Sequence, residues 1–582
     1  MKKSVSNKIW QQSYVDEDYV NELKRSFGIS DFLAKILSIK IPNLLEAIEF
    51  LLPKIKDSLP DPFHLLDMNH AVERAIVALK KQQKICIFGD YDVDGATSSA
   101  LLKNVFQDLG QIVDIYIPDR TLEGYGPTIP AMQLIKDRGT DLVITVDCGA
   151  SAKEAIKHAN SINLDVIVID HHISLELISE AIAIVNPNRL DQTSNYKYLA
   201  AVGVCFLFVA ALIAKLKEDN YFNSSITPPN LMNYLDLVAI GTVCDVMPII
   251  GLNRVFVAQG LKVIHNRRNL GIKTLLDMSS LQERVNCYHL GFVIGPRINA
   301  GGRVGKSDLG AMLLATNDQQ LATKFAIDLN KYNDERKCIE SIILAEATAI
   351  AETQLQEKML FIVGEKWHAG VIGIIAGRLK DKFNKPTAII ALENGIAKAS
   401  CRSVKNIDFG VAIIEAKNLG LVNSGGGHSM AAGFTTTQDK LIELRQFLNE
   451  VFGRKANDIR NNIENYSADL TTSSLNLDLM AEIARLEPFG IGNPSPVFKF
   501  SNLFVLKADI VGEKHVRCLL MPERDAYGTK AVASIAFNAV DTEIGKTLMS
   551  KSPNSMSVIA SLKINSWQRS EKIQIQIIDI IV

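Results

Sequence analysis

The sequence predicts an α/β protein of several domains: a parallel-sheet domain and a smaller α/β domain joined by a long helix, then a C-terminal β-barrel. Three observations predict this fold class. Short β-rich runs alternate with helical runs after Lys84, the same alternation returns after residue 356, and the chain is β-rich after about residue 460. At 582 residues the chain is also too long for one hydrophobic core, so several domains are expected.

The first part of the chain reads as helices. The runs NELKRSFGISDFLAKIL and NLLEAIEFLL carry apolar residues at three- and four-residue spacing, and we expect residues 1–65 to form a helical lead-in. From Lys84 the runs KICIF, VDIYI, DLVITV, DVIVI and AIAIV alternate with helical segments. This alternation predicts a parallel sheet covered by helices on both faces, which we assign to residues 66–265.

The segment from Leu199 to Ala214 is apolar enough to be tested as a membrane span. It is uncharged, but it is shorter than the roughly 20 residues that a spanning helix needs, and it lies inside the α/β pattern. We therefore expect a buried helix and no membrane association.

The remaining segments differ in composition. We expect residues 266–356 to hold a basic segment and connecting helices, because residues 318–356 have helical periodicity without glycine or proline. Residues 357–458 should form the second α/β unit, which contains LFIVG, AIIAL and the glycine-rich run NSGGGHSMAAGF. Residues 459–582 should form the barrel.

Charge and cysteine usage restrict the function classes only loosely. The formal net charge is −1, so a surface for a polyanion has to be local. Between Arg254 and Lys306, nine Lys or Arg residues occur with only two acids, which indicates either such a surface or a solvated basic face. Eight scattered cysteines without a C-x-x-C pair favour a reducing compartment, and the first residues lack the apolar core of a signal peptide, so we expect a cytoplasmic protein.

Acidic residues and histidines follow three predicted strands. KICIF runs into GDYDVDG with Asp90, Asp92 and Asp94, LVITV ends at Asp147, and VIVI ends at Asp170-His171-His172. Ligands bind beyond the carboxyl ends of the strands in open α/β sheets, so these side chains should face one crevice. Clustered carboxylates repel one another unless cations neutralise them, and oxygen ligands with imidazole suit Mn²⁺ or Mg²⁺. Each motif alone is more often a polar turn, but their joint placement predicts a site for two divalent cations.

The motifs also carry a family resemblance. GDYDVDGATSSA, VDCG, VIDHH and GTVCDVMP match, in order and spacing, the four motifs of the DHH phosphoesterase superfamily. IPDRTLEGYG, IVNPN, GPRINAGGR, WHAGVIGIIAGRL and GGGHSMAAG resemble its RecJ exonuclease branch, from about residue 65 to the C-terminus. The resemblance implies that the metal ligands are Asp92, Asp94, Asp147, His171 and Asp245, with Asp147 bridging and with Asp90 and His172 as supporting or additional ligands. Asp245 rests on the resemblance alone.

The resemblance extends to substrate binding. It implies a DHHA1 domain that closes over the metal site and holds substrate phosphate with Gly426, Gly427 and His428. Arg297, Asn299 and Arg303, in the preceding segment, are further phosphate-binding candidates. Ser400 and Arg402 would receive a 5′-terminal phosphate. The C-terminal part resembles an OB fold that binds single strands, where the aromatic candidates by residue type are Phe489, Phe498, Phe504, Phe537 and Trp567.

The sequence departs from the family pattern at two places. Phe88 occupies a position where some relatives carry histidine, so one metal has to rely on Asp90 or water. Ala399 and Cys401 replace glycines that the family more often has beside the terminal-phosphate residues, and their side chains could crowd the phosphate.

The resemblance thus implies a metal-dependent exonuclease that degrades single-stranded DNA from 5′ to 3′ into nucleoside 5′-monophosphates, in repair and recombination. Two alternatives remain open: a phosphodiesterase of short oligonucleotides or cyclic dinucleotides, and a non-catalytic DNA-binding scaffold. The expected partner is single-stranded DNA, and the candidate protein partners are single-strand-binding protein or a repair helicase. We expect a monomeric chain.

Overall fold

The N-terminal helices belong to the C-terminal barrel. The computed structural model describes residues 2–120, 122–174, 180–224, 226–281, 283–455, 463–522, 531–550, 555–567 and 570–582. Apolar residues of the first three helices share one hydrophobic core with the barrel, so the predicted lead-in is a packed part of that domain. The first strand was not predicted. The elements are β1 (Ile9–Gln12), α1 (Glu17–Phe27), α2 (Asp31–Lys40), α3 (Leu44–Leu51), α4 (Ile55–Ser58) and α5 (Met68–Lys80).

The first α/β unit is a five-stranded parallel sheet, as predicted. Its strands are β2 (Ile85–Gly89), β3 (Val113–Tyr116), β4 (Leu142–Val146), β5 (Asp165–Ile169) and β6 (Ala183–Val185), in the order β3-β2-β4-β5-β6. Alternate strand residues enter two separate cores, with Ile87 in one and Phe88 in the other, because helices cover both faces. The helices between the strands are α6 (Val93–Asp108), α7 (Ile129–Asp137) and α8 (Lys153–Ser161).

A helical region follows the sheet. The apolar segment forms the predicted buried helix, which packs in the same core as one face of the sheet. No helix in the part of the chain that the structure describes is long and apolar enough to cross a bilayer. The elements are α9 (Ala201–Glu218), α10 (Leu235–Cys244), α11 (Gly251–His265), α12 (Leu270–Met278), α13 (Cys287–His289), a π-helix (Leu290–Ile294), α14 (Gly295–Val304), α15 (Leu309–Ala315) and the long connecting helix α16 (Gln319–Thr353).

The second α/β unit has a mixed five-stranded sheet. The glycine-rich run is not a loop but a β-hairpin, in which Gly425 pairs with Phe434. The elements are β7 (Leu360–Glu365), α17 (Ile372–Phe383), β8 (Thr387–Glu393), β9 (Ile396–Arg402), α18 (Phe409–Asn418), β10 (Ser424–His428), β11 (Ala431–Thr437) and α19 (Leu441–Lys455), with strand order β10-β11-β9-β8-β7.

The C-terminal domain is a barrel, as predicted. Its first strand, β12 (Ile463–Tyr466), pairs in parallel with β1 from the other end of the chain. The six-stranded sheet β13-β14-β15-β16-β18-β17 closes through pairing of β14 with β17. The further elements are β13 (Ala468–Asp469), α20 (Leu477–Ala484), β14 (Phe498–Val511), β15 (His515–Pro522), β16 (Val532–Ala536), α21 (Glu543–Met549), β17 (Met556–Trp567) and β18 (Ser570–Ile581).

The barrel aromatics do not form one stacking surface. Phe498 is fully buried in the barrel core, so it is not available for stacking on DNA. Phe489 and Phe504 are partly buried, while Phe537 is 52% exposed. The side chain of Trp567 lies outside the described residues.

Candidate metal centre

The first three aspartates lie where β2 passes into α6. Asp92 is the N-cap residue of α6, and its carboxylate accepts the backbone N–H groups of Asp94 (2.9 Å) and Gly95 (3.2 Å). A Cβ at position 95 would lie 2.3 Å from the carbonyl oxygen of Asp90, so the tight turn requires glycine there. The turn therefore holds all three carboxylates at the carboxyl edge of the sheet.

Asp147 follows β4 at the same edge. Its φ is +61°, a left-handed conformation that is uncommon outside glycine and is found at strained functional positions. Its Oδ1 atom lies 3.3 Å from Nε2 of His171. Among the described residues, Asp147 Oδ1, Asp90 Oδ1 and His171 Nε2 are all buried without a hydrogen-bond partner. Unsatisfied buried groups are costly, and these oxygen and imidazole atoms are of the types that bind a divalent cation.

Each of the two histidine rings is oriented by a hydrogen bond at its Nδ1 atom. The Nδ1 atom of His171 lies 3.0 Å from the carbonyl oxygen of Leu199, which assigns the proton to Nδ1 and leaves Nε2 as a free lone pair. Burial, followed by the charge of His172, lowers the pKa of His171 to about 4, so the ring is neutral and able to bind a metal. Nδ1 of His172 donates to Asp170 at 2.8 Å.

Asp170 orients the histidines rather than joining the ligand cluster. One oxygen accepts the backbone N–H groups of His171 (2.7 Å) and His172 (3.1 Å), and the other accepts the N–H of Ala150 (3.0 Å). Burial opposes ionisation, but the hydrogen bond from His172 and the histidine charges lower the pKa of Asp170 to about 2. The sequence contained this residue in the motif, yet nothing in the pattern assigned it this orienting role.

Asp245, from the helical region, and Asp94, in the first turn of α6, complete the cluster. Asp245 is the C-cap residue of α10, with Oδ2 3.5 Å from Nε2 of His171. Oδ2 of Asp94 lies 3.9 Å from the same nitrogen. Asp94 also accepts the first N–H groups of α9, from Ala201 (2.6 Å) and Val202 (3.0 Å), and so caps a helix that Ala200 cannot cap. Each carboxylate oxygen has a second lone pair, so this role leaves room for a metal.

All seven predicted residues lie together. Their ligand atoms form three groups, and within each group the atoms lie within 4.8 Å of one another. Burial and the neighbouring carboxylates raise the pKa of Asp90, Asp94 (to about 7), Asp147 and Asp245 (to about 9), which shows that the cluster is unfavourable by itself. Oxygen and imidazole donors fit hard divalent cations. The groups are Asp90, Asp92 and Asp147; Asp94, His171 and Asp245; and Asp147, His171 and His172.

Phe88 does not face this cluster. Its ring is fully buried in the opposite core and stacks on Tyr116 with a centroid distance of 5.3 Å. The Oδ1 atom of Asp90, the residue that follows the same strand, is buried without a hydrogen-bond partner. Phe88 therefore neither supplies a metal ligand nor fills the metal site.

A set of arginines lies beside the carboxylates. Burial, followed by repulsion from Arg120 and Arg336, lowers the pKa of Arg303 to about 10, while Asp92 acts in the opposite direction. Burial lowers the pKa of Arg402, to which Arg120 also contributes. The Arg303 guanidinium donates to the carbonyl of Gly370, which ties α14 to the loop before α17. We call Arg120, Arg303 and Arg402 the arginine cluster.

Ser400 and Arg402 face the start of α17. A Cβ at Gly373 would lie 3.0 Å from the Ser400 hydroxyl and 3.4 Å from an Arg402 nitrogen. Cys401 points the other way, into the domain core, because side chains alternate along β9. Ala399 packs against the same core, so neither residue crowds the Ser400 side of the strand.

Arg120 was missed as a site residue. It lies within IPDRTLEGYG, and its guanidinium is 4.9 Å from the centroid of the Tyr91 ring. Its charge acts on Asp90, Arg303 and Arg402, so it belongs beside both clusters. The only signal in the sequence was its place inside a recognised motif.

The other predicted phosphate-binding residues are arranged differently. Arg297 is half-buried and donates to the carbonyl of Val293 and to Asn330, while Asn299 is half-buried on the same helix. The close backbone contact at Gly427 is with Ala431 of its own hairpin, whereas a Cβ at Gly426 would meet open space. His428 is exposed at the hairpin end.

The nine Lys and Arg residues between Arg254 and Lys306 overstate the positive charge that is free to bind phosphate. Arg254 is 3% exposed and Arg267 pairs with Asp277. These two residues therefore do not add to a surface for phosphates.

Comparison with known proteins agrees with this geometry. The chain matches the DHH family N-terminal domain over residues 84–242, the DHHA1 domain over 356–454 and the RecJ OB domain over 466–579. It is 32% identical over 578 residues to a single-stranded-DNA-specific exonuclease RecJ of Bacillus subtilis, covering 98% of this chain and 70% of that protein. The corresponding protein of Haemophilus influenzae is 32% identical over 532 residues, covering 89% and 91%.

A solved structure is similar over nearly the whole chain. The crystal structure of RecJ from Thermus thermophilus in complex with Mn²⁺ superposes with a TM-score of 0.79 at 25% identity, covering 98% of this chain and 79% of that one. The fold, the order of the three domains and the sequence identity agree. This chain is a member of the RecJ family of single-stranded-DNA-specific exonucleases.

Proposed function

We propose that this chain is a metal-dependent exonuclease that removes nucleoside 5′-monophosphates from the 5′ end of single-stranded DNA. The observation that carries the proposal is the set of three buried, unpartnered ligand atoms, on Asp90, Asp147 and His171, within the carboxylate cluster. The relatives that bear the name single-stranded-DNA-specific exonuclease support the substrate and the reaction class.

Two divalent cations, Mn²⁺ or Mg²⁺, fit this cluster. Asp147 and His171 each belong to two of the three ligand groups, but a neutral imidazole offers only one lone pair, which supports Asp147 as the shared ligand. When bound, the cations would lower the pKa of water and neutralise charge on the phosphate oxygens. The ligands would be Asp92, Asp94, Asp147, His171 and Asp245, with Asp90 and His172 in support.

The protein's own groups fix where the phosphate binds and how the ligands are oriented. Asp170 and the Leu199 carbonyl hold the two imidazoles in defined orientations, so both rings are already oriented before substrate binds. Asp94 is held by the amides of α9, which fixes its oxygens in the same way. This preorganisation supports hydrolysis of a phosphodiester placed between the carboxylates and the arginine cluster.

The arginine cluster supports 5′ polarity. Ser400 and Arg402, with Arg120 and Arg303, would bind the 5′-terminal phosphate, since guanidinium groups bind phosphate oxygens with two hydrogen bonds. A phosphate held there places the next phosphodiester toward the carboxylates. Further contacts to the strand would come from Arg297, Asn299, Gly426, Gly427 and His428.

A pair of exposed aromatic rings supports a path toward the barrel. Tyr288 and Phe292 are 60% and 70% exposed, and their rings stack with centroids 5.0 Å apart. Lys563 of the barrel lies 6.0 Å from the Tyr288 ring. Exposed rings beside a cation suit bases and phosphates of a single strand.

These observations support a separate role for each segment of the chain. Residues 66–265 would bind the cations, residues 266–356 would connect the domains, and residues 357–458 would bind phosphate. Residues 459–582, together with 1–65, would bind the strand. The eight cysteines are unpaired thiols, which supports a cytoplasmic location. A monomer, with single-strand-binding protein or a repair helicase as partner, completes the proposal.

End-labelled substrates test the function. Single strands labelled at either the 5′ or the 3′ end are incubated with Mn²⁺, with chelator and with an Asp147→Asn variant as controls. We expect stepwise release of 5′-mononucleotides from the 5′ end, lost in both controls. Turnover of very short oligonucleotides alone would favour the small-substrate phosphodiesterase, and binding without cleavage would favour the scaffold.

A further inference from the structure

The segment after Asp245 contacts a turn of the C-terminal domain. Four residues beyond Asp245, the backbone N–H of Ile249 donates to the carbonyl of Ile491 at 2.6 Å. Ile491 lies in a turn closed by mutual backbone hydrogen bonds between Gly490 and Asn493, of 2.9 and 3.1 Å. We call residues 490–493 the GIGN turn. A backbone hydrogen bond thus links the C-terminal domain to the segment that follows a proposed metal ligand.

Both glycines of the turn are in close contact with that segment. A Cβ at Gly490 would lie 2.8 Å from Cγ1 of Ile249. Gly492 has φ +76°, and a Cβ there would lie 3.0 Å from Ile250 and 3.2 Å from Pro248. The surfaces therefore fit without space for a methyl group, so a change in the turn displaces the segment.

The turn itself is held rigidly. Asn493 is 2% exposed, and its amide donates to the carbonyls of Leu486 and Pro488, both at 2.9 Å. Its Oδ1 atom accepts a hydrogen bond of 2.9 Å from Lys40 in the N-terminal helices. Arg254, in the helix after the segment, donates to the carbonyl of Glu487 at 2.7 Å.

Arg254 links three parts of the chain. It also donates to the carbonyl of Phe50 and lies 3.5 Å over the Phe50 ring. Its buried guanidinium is thus satisfied by carbonyls of the N-terminal helices and of residues 486–488. The GIGN turn and α11 are therefore fixed to one another.

We propose that the GIGN turn positions Asp245, so that the C-terminal domain contributes to metal binding as well as to DNA binding. Val246, directly after Asp245, has φ +60°, which is unfavourable for a β-branched residue. Local helix-end bonds hold this conformation, since the N–H of Val246 donates to the carbonyl of Val243 and that of Met247 donates to the carbonyl of Thr242. The segment therefore leaves α10 in a fixed direction, and the GIGN turn contacts it at Ile249 and Ile250. The inference rests on the proposed function, because it assumes that Asp245 binds a metal.

Gly492→Ala tests the proposal. The added methyl group presses on Ile250 and Pro248, so we expect Mn²⁺ binding at one of two sites to weaken by roughly tenfold. Isothermal titration of the full chain with Mn²⁺ measures this directly, without turnover. The Mn²⁺ concentration for half-maximal cleavage should rise in parallel, while the affinity for labelled single-stranded DNA in chelator stays within about twofold.

Gly512→Ala is the matched control. Gly512 lies in the same domain and has φ +56°, so alanine there experiences comparable backbone strain, but its Cβ would contact His515 at an ordinary 3.6 Å. We expect unchanged Mn²⁺ binding in this variant. If both variants lose Mn²⁺ affinity equally, general destabilisation explains the effect and the proposal is wrong.

A second-site change separates positioning from folding. Gly490→Ala should also weaken Mn²⁺ binding, because its methyl group meets Cγ1 of Ile249. Adding Ile249→Ala removes that carbon and should restore the affinity. Wild-type chain that binds no Mn²⁺ would overturn the proposed function itself. Wild-type chain that binds two ions, with neither glycine variant affected, would overturn only the role of the turn.

Discussion

Two clusters of opposite charge lie beside one another in this molecule, and each is unfavourable in the same way. The carboxylates around Asp147 raise one another's pKa, and the arginine cluster lowers the pKa of Arg303 to about 10, with burial the first cause in both. Neither set is neutralised by the other, although Asp92 and Arg303 do interact. The attraction between the clusters is weaker than the effect of burial in each, so cations would further stabilise the carboxylates and phosphate would further stabilise the arginines.

The difference between the clusters lies in how they are held. The carboxylate of Asp94 and the imidazole of His171 are on short side chains that backbone groups fix. The Arg402 guanidinium also donates to a backbone carbonyl, that of Cys401, but it does so at the end of a long side chain. Metal coordination demands fixed distances, while phosphate tolerates adjustment of a long side chain. Changes at the carboxylates should therefore have the larger consequences.

The largest effect is expected from Asp147→Asn. Loss of the shared carboxylate should lower the single-turnover cleavage rate by roughly a thousandfold or more. Asparagine accepts the left-handed backbone, and it relieves repulsion among buried carboxylates. In chelator the variant should therefore melt at or above the wild-type temperature, while the stabilisation that Mn²⁺ adds to the wild type is lost. A lower melting temperature in chelator would show that this carboxylate stabilises the metal-free fold.

A smaller effect is expected at the arginine cluster. Arg402→Ala should reduce the preference for 5′-phosphorylated over 5′-hydroxyl strands by roughly 10- to 100-fold, and Arg402→Lys should recover part of it. Competition between the two substrates in one reaction measures the preference. Arg267→Ala, which removes an exposed arginine paired with Asp277, serves as the control. An unchanged preference in Arg402→Ala would place the terminal phosphate elsewhere.

The sequence predicted the carboxylate cluster better than the arginine cluster for a physical reason. Buried strands such as KICIF can be recognised from their composition. Parallel strands bring their carboxyl ends to one edge of the sheet, so Asp90, Asp147 and His171 could be placed together. Asp245 lies at the end of an apolar helix, and no local pattern brings it to that edge. Its placement needed the family motif. Arg120 was not predicted as a site residue because a single arginine in a loop is part of no periodic pattern.

Long-range pairings also escaped prediction. Strand β1 pairs with β12, where Ile9 lies opposite Ile463, and the N-terminal helices complete the barrel core. Periodicity reports which face of an element is buried but not what buries it. The glycine-rich hairpin was hidden for a related reason, because Gly425 to Gly427 lack the side chains that mark a strand.

Asp236 is a buried acid that belongs to neither the carboxylate cluster nor the arginine cluster. It is 2% exposed in α10, and burial raises its pKa from its ordinary value to about 7, against the hydrogen bond from the Leu237 N–H. Below about pH 4 both the folded and unfolded chains are protonated at this group, so it has no effect on stability. As the pH rises toward 7 the unfolded chain ionises first, and the folded protein loses stability until the folded pKa is passed.

Asp236→Asn should remove that pH dependence. The stability of the variant relative to wild type should grow between pH 5 and pH 8, by about 1 to 4 kcal/mol in total, in denaturant titrations at each pH. Unlike the carboxylates around Asp147, this acid belongs to no candidate metal group among the residues that the structure describes, so Mn²⁺ should leave the difference between variant and wild type unchanged. A difference that disappears on adding Mn²⁺ would mean that Asp236 is coupled to the metal centre, and the contrast between a lone buried acid and a ligand cluster would no longer hold.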